Sequence, residues 1–187
     1  VVWVSAAVLR YARDTPGVIA LQGNHEYEHL LADAGGYTLK PAQALTRRLL
    51  GEDYPAWLRF MAALPLSREL PEAVLVHGLL EPGVPLAAQR PDVLVGAATG
   101  EAHVRAHHPA PWYEHYDGPR PVVVGHHDYL RTAQPLVREG RVYGIDTGCV
   151  HGGRLTALVL PDFRLVSVPA RADYWTPLRQ RLASGAV

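Results

Sequence analysis

The sequence predicts a layered domain of the α/β or α+β class. Two observations lead to this class. Apolar residues recur at helical spacing up to about residue 64, whereas short β-branched runs that end in glycine, proline or polar residues dominate afterwards. Because such helices and strands must cover one another's apolar faces, they are expected to form layers. With 187 residues, of which 48% are hydrophobic, the chain is long enough to bury one core.

The N-terminal residues predict a helix followed by a buried strand. Val1, Val4, Val8, Leu9 and Ala12 fit one face of a helix, which the turn at residues 14–17 ends. Residues 18–23 (VIALQG) then form a short, nearly continuous apolar run, which is typical of a strand that is covered on both sides.

Helices are predicted next. Residues 24–36 have a helical pattern that ends at Gly35-Gly36, and residues 41–64 predict one or two further helices. Asp53 is the expected N-cap of the last of these, with Pro55 in its first turn.

The second half of the chain predicts mostly strands. Residues 73–78 (AVLVHG) and 121–127 (PVVVGHH) are β-branched runs that end in polar residues. Two further strands are expected around Glu139-Gly140, and a closing hairpin is expected to turn at Pro161-Asp162. Residues 82–119 lack a clear period and are interpreted as irregular with one helix.

Composition excludes several classes of partner. Lys+Arg and Asp+Glu balance at 18 each, which provides no electrostatic basis for general nucleic-acid binding or for attraction to anionic membranes. No apolar run approaches the roughly 20 residues that a transmembrane helix needs. Cys149 is the single cysteine, so no intramolecular disulfide can form, and a cytoplasmic protein is expected.

Three apolar runs end in an Asn or His beside a glycine, at Asn24, His77 and His126. Ligand sites gather at strand ends because a rigid sheet positions the residues there. An amide oxygen and two imidazole nitrogens suit a borderline divalent metal such as Mn, Fe or Zn. One such His alone is more often a hydrogen-bonded loop residue, but three similar strand ends together favour a metal site.

The motifs "GNHE", "VHG", "VVVGHH" and "IDTGCVHGGRLTALVL" resemble, in order, the later motifs of the calcineurin-like metallophosphoesterases. The closest resemblance is to the phosphoprotein-phosphatase branch, which includes bacterial protein phosphatases and symmetrical diadenosine-tetraphosphate hydrolases. It covers about residues 17–169 and is weakest in residues 82–119. The resemblance implies a β-sandwich flanked by helices, and a hydrolase for phosphate monoesters or nucleotide phosphoanhydrides.

The resemblance also implies roles for individual residues. Asn24, His77 and His126 would bind the second ion of a dinuclear centre, with Mn²⁺ as the expected metal and Fe or Zn as alternatives. His25 matches the family's catalytic histidine, which protonates the leaving oxygen or binds the substrate phosphate, and Glu26 would orient the loop. A hydroxide activated by the two metals would attack phosphorus in line. The expected substrates are phosphorylated small molecules, nucleotides or phosphoproteins.

Two motifs of the family, D-x-H and G-D-x-x-D-R-G, are expected upstream of "GNHE" and are not found in the residues before Gly23. The sequence is therefore interpreted as the C-terminal part of one metallophosphoesterase domain, spanning 1–187 and lacking the N-terminal strands. On this interpretation the chain carries only the second-metal half of the centre. Two alternatives follow: a catalytically inactive binding or structural module, or a mononuclear metal-binding fragment.

The remaining polar residues are open to more than one interpretation. "GHHD" stands where this branch more often has "GHT", so His127 is read as a polar loop residue and Asp128 as a weak metal candidate. Arg105 is the candidate phosphate-binding residue, because the family often has an arginine between the two late His motifs. The neighbouring histidines are expected to lie on a solvated or substrate-lining loop, with a separate metal site as the alternative; they are His103, His107, His108 and His115.

Overall fold

The computed structural model describes residues 2–185, and the side chains from residue 6 onward. Seven α-helices occur in this range. They are α1 (Val2–Asp14), α2 (Asn24–Asp33), α3 (Pro41–Leu50), α4 (Tyr54–Ala63), α5 (Pro91–Leu94), α6 (Ala98–His107) and α7 (Trp175–Ala183). The predicted helix at the start of the chain is confirmed as α1, although Val8 is exposed while Leu9 packs inward. Val1 and the side chain of Val4 lie outside the described part.

Eight strands form two sheets. They are β1 (Ser67–Glu69), β2 (Val74–Val76), β3 (Val122–Val124), β4 (Leu136–Arg138), β5 (Val142–Gly144), β6 (Asp146–Thr147), β7 (Arg154–Val159) and β8 (Arg164–Pro169). The first sheet has the order β1-β2-β3-β5-β4, and its three central strands run parallel. The second sheet is the antiparallel set β6-β7-β8. The predicted layered α/β class is therefore confirmed, as are the closing hairpin, β7–β8, and the two strands expected around Glu139-Gly140, β4 and β5.

Successive side chains of the central strands point to opposite faces of the sheet, and this explains how the layers pack. Side chains two residues apart on a strand, such as Val122 and Val124, point to the same face of the sheet. On this face they pack in one buried cluster with Val93 of α5 and Val104 of α6. The intervening Val123 faces the opposite way, in a cluster with residues of the β7–β8 hairpin. The central sheet is thus covered on both faces, which accounts for its nearly continuous apolar strands.

A separate helical core covers the N-terminal part of the chain. It comprises buried residues from α1, α3 and α4: Ala6, Leu50, Tyr54, Trp57, Leu58 and Met61. Asp53, the predicted N-cap, makes no capping hydrogen bond, because the 3₁₀ turn Gly51–Asp53 runs directly into α4. Pro55 does occupy the first turn of this helix.

The strand predicted for residues 18–23 is not formed. The N–H of Val18 donates to the carbonyl of Thr15 in a turn, and the N–H of Gln22 donates to the carbonyl of Pro65 at 2.9 Å. A strand needs a neighbour for its backbone groups, and no described strand pairs with this segment. The segment is instead an extended connection, held to α4 by the Gln22 side chain, which donates to the carbonyl of Met61.

The segment predicted to be irregular, residues 82–119, contains more structure than expected. It holds α5 and α6 as well as the 3₁₀ turns Leu86–Ala88 and Trp112–Glu114. Within the described range, no helix combines the length and apolar character required to cross a bilayer.

Candidate metal centre

Two histidines meet at one edge of the central sheet. His77 follows the last residue of β2, and Gly125-His126 follow the last residue of β3. Because β2 and β3 are parallel neighbours, their carboxyl ends lie at the same edge. The N–H of Gly125 donates to the carbonyl of His77 at 3.1 Å, and the imidazole rings of His77 and His126 lie 5.3 Å apart.

Asn24 reaches the same edge from the N-terminus of α2. Its Oδ1 lies 3.2 Å from Nε2 of His77. Gly23, at the N-cap, is extended, and its N–H donates to the Glu26 carboxylate at 3.0 Å. This bond closes the first turn of α2, which agrees with the orienting role expected of Glu26. The loop thus presents Asn24 to His77 from the start of a helix.

Glycines allow the backbone to approach this closely. A Cβ on Gly78 would lie 2.1 Å from the backbone nitrogen of Gly96, and a Cβ on Gly96 would lie 2.6 Å from a ring carbon of His126. His126 itself has φ of +67°, in the left-handed region that non-glycine residues rarely occupy. Such conformations cost roughly 1–3 kcal/mol and persist where surrounding structure holds them, commonly at functional sites.

The two strand-end imidazoles are neutral at physiological pH. Burial, followed by the proximity of three other imidazoles, lowers the pKa of His77 to about 4. Burial also lowers the pKa of His126, although its hydrogen bond with Glu101 opposes the shift. A neutral imidazole keeps a lone pair on one ring nitrogen, so both side chains can bind a metal without first losing a proton.

Glu101, on α6, is a residue of this site that the sequence analysis missed. One of its oxygens lies 2.8 Å from Nε2 of His126 and 2.9 Å from Nε2 of His127. Burial acts to raise the pKa of Glu101, but the hydrogen bond with His126 and the nearby His127 outweigh it and lower the pKa. The carboxylate is therefore ionised at neutral pH and accepts a hydrogen bond from the Nε2–H of His126. The lone pair on Nδ1 of that ring is then available to bind a metal ion.

His127 and Asp128 have different environments. His127 shares the Glu101 carboxylate with His126, so it is more than the polar loop residue that its position suggested. The carboxylate of Asp128 accepts the N–H groups of Arg131 at 2.9 Å and Ala133 at 3.3 Å. Both of its oxygens help to close the turn after β3, and a metal role for Asp128 stays a prediction.

His25 and Arg105 border different cavities. His25 is exposed in the first turn of α2 and borders a cavity of about 610 Å³ that Met61, Cys149 and Tyr174 also line. Arg105 is exposed on α6, with one guanidinium nitrogen 4.0 Å from a Glu101 oxygen. It borders a second cavity of about 490 Å³, together with His127 and Tyr113.

The donors gathered here fit a divalent metal ion. Two ligands that bind one ion at about 2.0–2.2 Å lie roughly 3–3.5 Å from each other, and the separation of 3.2 Å between Asn24 Oδ1 and His77 Nε2 matches this. An amide oxygen and imidazole nitrogens suit Mn, Fe or Zn. The carboxylate of Glu101 behind His126 is the outer partner that metal-binding histidines commonly have.

No family model matches the chain, whereas curated relatives do. It is 41% identical over 87 residues to the asymmetrical bis(5'-nucleosyl)-tetraphosphatase PrpE of Anoxybacillus flavithermus, over 44% of the chain and 32% of that relative. It is 37% identical over 117 residues to the asymmetrical bis(5'-nucleosyl)-tetraphosphatase PrpE of Halalkalibacterium halodurans, over 57% of the chain and 44% of that relative. The chain thus spans less than half the length of these relatives. Both relatives are named as asymmetrical hydrolases, whereas the branch that the sequence resembles includes symmetrical ones.

Solved structures share the fold. One that is provisionally assigned as a diadenosine tetraphosphatase superposes with a TM-score of 0.68 and 26% identity, covering 89% of this chain and 74% of that one. A metallophosphoesterase from Sphaerobacter thermophilus superposes with a TM-score of 0.51 and 19% identity, covering 96% of this chain and 76% of that one, which is a likeness of fold alone. Together with the Gly-Asn-His-Glu loop and the two strand-end histidines, these likenesses support the resemblance to the calcineurin-like metallophosphoesterase superfamily.

Proposed function

We propose that this chain contributes to a metal-dependent phosphoesterase that hydrolyses nucleotide phosphoanhydrides. The observation that carries the proposal is the convergence of Asn24, His77 and His126 from three separate segments, with Asn24 Oδ1 3.2 Å from His77 Nε2. Because both rings are neutral and the amide is uncharged, the site accepts a cation without a competing proton. This donor set corresponds to the second-metal half of a dinuclear centre.

Manganese is the metal that we assign to the centre, with iron and zinc as alternatives that the same donors accept. When bound, a pair of divalent ions supplies a water of lowered pKa and neutralises charge on the phosphoryl oxygens. Asn24 and His77 hold their side of the site rigid, since Asn24 begins α2 and His77 directly follows β2. Glu101 fixes the ring of His126 through the 2.8 Å hydrogen bond at Nε2.

His25 is the residue to which we assign proton donation to the leaving oxygen. It neighbours Asn24 in the first turn of α2, and its side chain is exposed, so a bound phosphate ester can reach it. The first turn of this ten-residue helix also directs backbone N–H groups outward, which favours an anion at the same place. A positioned proton donor contributes about 10²–10⁴-fold to such reactions.

A nucleotide is the substrate class that two observations favour. The curated relatives bear the name bis(5'-nucleosyl)-tetraphosphatase. The cavity beside His127 is lined by the ring of Tyr113 and by Arg105, which offer stacking for a base and a positive charge for phosphate. Trp112 also borders this cavity, but it and Tyr116 are mostly buried in the core. A cytoplasmic location belongs to the proposal, since a nucleotide substrate and the lone Cys149 both suit it.

A second candidate function is mononuclear metal binding or an inactive binding module. It is favoured by the donor set itself, because Asn24, His77 and His126 together supply ligands for one ion. Measured metal binding and measured turnover separate these alternatives from the enzyme.

The test is hydrolysis of diadenosine tetraphosphate by the protein that contains this chain, in the presence of Mn²⁺, with products separated by ion-exchange chromatography. The proposal predicts Mn²⁺-dependent turnover that falls by at least about 100-fold in His25→Ala, while Mn²⁺ binding is unchanged. Asymmetrical cleavage yields ATP and AMP, and symmetrical cleavage yields two ADP. His115→Ala is the control, because His115 is exposed and lies outside the site.

Each outcome distinguishes one function from the others. Mn²⁺ binding without turnover would favour the mononuclear or inactive alternative. Absence of Mn²⁺ binding would contradict the proposed centre itself.

A further inference from the structure

A second cluster of metal-ligand side chains lies at the C-terminal half of α6. Its members are Glu81, in the loop after β2, His103, on α6, and His108, directly after the last residue of α6. One oxygen of Glu81 lies 2.7 Å from Nε2 of His103 and 3.7 Å from Nε2 of His108. The three donor atoms all lie within 4.8 Å of one another.

The Glu81 carboxylate is buried, with a side chain only 7% exposed. In the described part of the chain, the titratable side chains within 4.0 Å of its oxygens are those of His103 and His108. Arg90 contributes only its backbone N–H, at 3.4 Å, because its guanidinium pairs with Asp92 at 3.0 Å. A buried carboxylate needs a cation to balance it, and no lysine or arginine in the described range fills that place.

The backbone around Glu81 is held in position. The Gln89 side chain accepts the N–H of Glu81 at 2.8 Å and donates to the carbonyl of Glu81 at 2.9 Å. It also donates to the carbonyl of Val84, so the loop of residues 81–89 is closed by one buried amide. On the helical side, the ring of His107 stacks on that of His103 at 4.4 Å. Both sides of the cluster are therefore positioned before any ligand arrives.

We propose that Glu81, His103 and His108 form a binding site for a zinc-class divalent cation, distinct from the centre at Asn24, His77 and His126. Two imidazoles and one carboxylate are a three-ligand set that Zn²⁺ accepts, with a water in the fourth position. The side chains of His103 and His108 are 25% and 19% exposed, so an ion has a path to the buried Glu81 oxygen. The 2.7 Å hydrogen bond between Glu81 and His103 opens by less than 1 Å to admit the ion.

The second site shares α6 with Glu101, the outer partner of the first centre. Glu101 and His103 are two residues apart on α6 and point in different directions, whereas His108 borders the same cavity as Glu101. Glu101 faces His126, whereas His103 faces Glu81. An ion bound by His103 and His108 therefore ties the C-terminal half of α6 to the loop after β2, and so steadies the helix that carries Glu101.

The experiment is calorimetric titration of the chain with Zn²⁺ in a His77→Ala, His126→Ala background, in which the first centre has lost two ligands and the neighbouring Glu101–His126–His127 group has lost one. The proposal predicts that one Zn²⁺ site remains in this background. Adding Glu81→Gln or His103→Ala should lower the Zn²⁺ affinity of that site by more than the 10–100-fold that loss of an outer partner costs. Glu81→Gln preserves the shape of the side chain and can still hydrogen-bond His103. His115→Ala, at an exposed histidine beyond α6, serves as the matched control and leaves the site intact.

A second measurement uses the unaltered chain and so does not depend on the variants folding. Long-range ¹H–¹⁵N spectra of the histidine side chains are recorded as Zn²⁺ is added. We expect the Nε2 resonances of His103 and His108 to shift together. Unchanged Nε2 resonances at both residues, or equal Zn²⁺ affinity in Glu81→Gln, would overturn the proposal and leave Glu81 and the two histidines as a hydrogen-bonded structural group. Neither result depends on His77, so failure here is distinguishable from failure of the first centre.

Discussion

Oδ1 of Asn24 lies 3.2 Å from Nε2 of His77, although the two residues are 53 positions apart in the chain. Asn24 is delivered by the first turn of α2, and His77 by the end of β2. The contact depends on Gly23, where a Cβ would lie 3.0 Å from ring atoms of His77. Two rigid elements and one small residue therefore create the spacing that a shared metal ion requires.

Gly23→Ala tests that dependence directly. Its φ of −106° is open to alanine, so the cost is a side-chain clash with His77 rather than backbone strain. We expect Mn²⁺ affinity, measured by calorimetry, to fall by about 10-fold, because a misplaced ligand costs on the order of 1–2 kcal/mol. Gly36→Ala is the control, since a Cβ there would lie 3.6 Å from the carbonyl of Leu31, an ordinary contact. Equal affinity in wild type and Gly23→Ala would show that the spacing is not needed.

Glu101→Gln tests the role of the carboxylate behind His126. A glutamine keeps the size of the side chain but removes the charge that the hydrogen bond with Nε2 of His126 depends on. We expect a 10–100-fold loss of Mn²⁺ affinity with little change in the urea midpoint of unfolding. Arg105→Ala, one helical turn away and exposed, should leave Mn²⁺ affinity unchanged. A Glu101→Gln protein that binds Mn²⁺ like wild type would remove Glu101 from the site.

The buried His29 leads us to expect that the stability of the fold depends on pH. It is buried in α2 with Nδ1 2.9 Å from the Tyr54 hydroxyl, and burial, followed by the nearby His25, lowers its pKa to about 4. The unfolded chain, with an ordinary histidine pKa near 6.5, binds the proton more readily between these values. The free energy of unfolding therefore falls as the pH drops from about 6.5 to about 4, by on the order of 2 kcal/mol from this residue.

The measurement is urea unfolding of wild type and His29→Gln across this pH range. His29→Gln removes the titrating group, so the difference in unfolding free energy between the two proteins should shrink toward pH 4. A constant difference between pH 6.5 and pH 4 would show that His29 does not titrate in this way.

The Asn24–His77–His126 set was accessible to sequence reasoning because each residue ends or follows a short apolar run beside a glycine. Parallel pairing of β2 and β3 then brings the two histidines together with no further information. The strand predicted for residues 18–23 is wrong for a complementary reason. An apolar run reports burial, but a strand also requires a partner, and a single sequence does not say where that partner lies.

Glu101 and Glu81 could not be found in the same way. Glu101 stands four residues before Arg105 on α6, a spacing typical of a charged helix surface that says nothing about His126. Glu81 meets His103 only because the loop closed by Gln89 folds back toward α6. Both contacts arise from packing between segments that are distant in the chain. The sequence of residues 82–119 has no local pattern of apolar residues from which these contacts could be predicted. The histidines there were accordingly predicted on a solvated loop, whereas His103 lies on a helix against a buried carboxylate.

Calorimetric titration of Mn²⁺ into wild type and His77→Ala tests the central claim most directly. His77 is the member of the set that contacts Asn24 and neighbours His126. Its loss should therefore lower the Mn²⁺ affinity by more than the 10–100-fold that loss of an outer partner costs. His115→Ala should bind Mn²⁺ as wild type does. Equal Mn²⁺ affinity in wild type and His77→Ala, with both proteins folded, would contradict the metal centre and the function proposed from it.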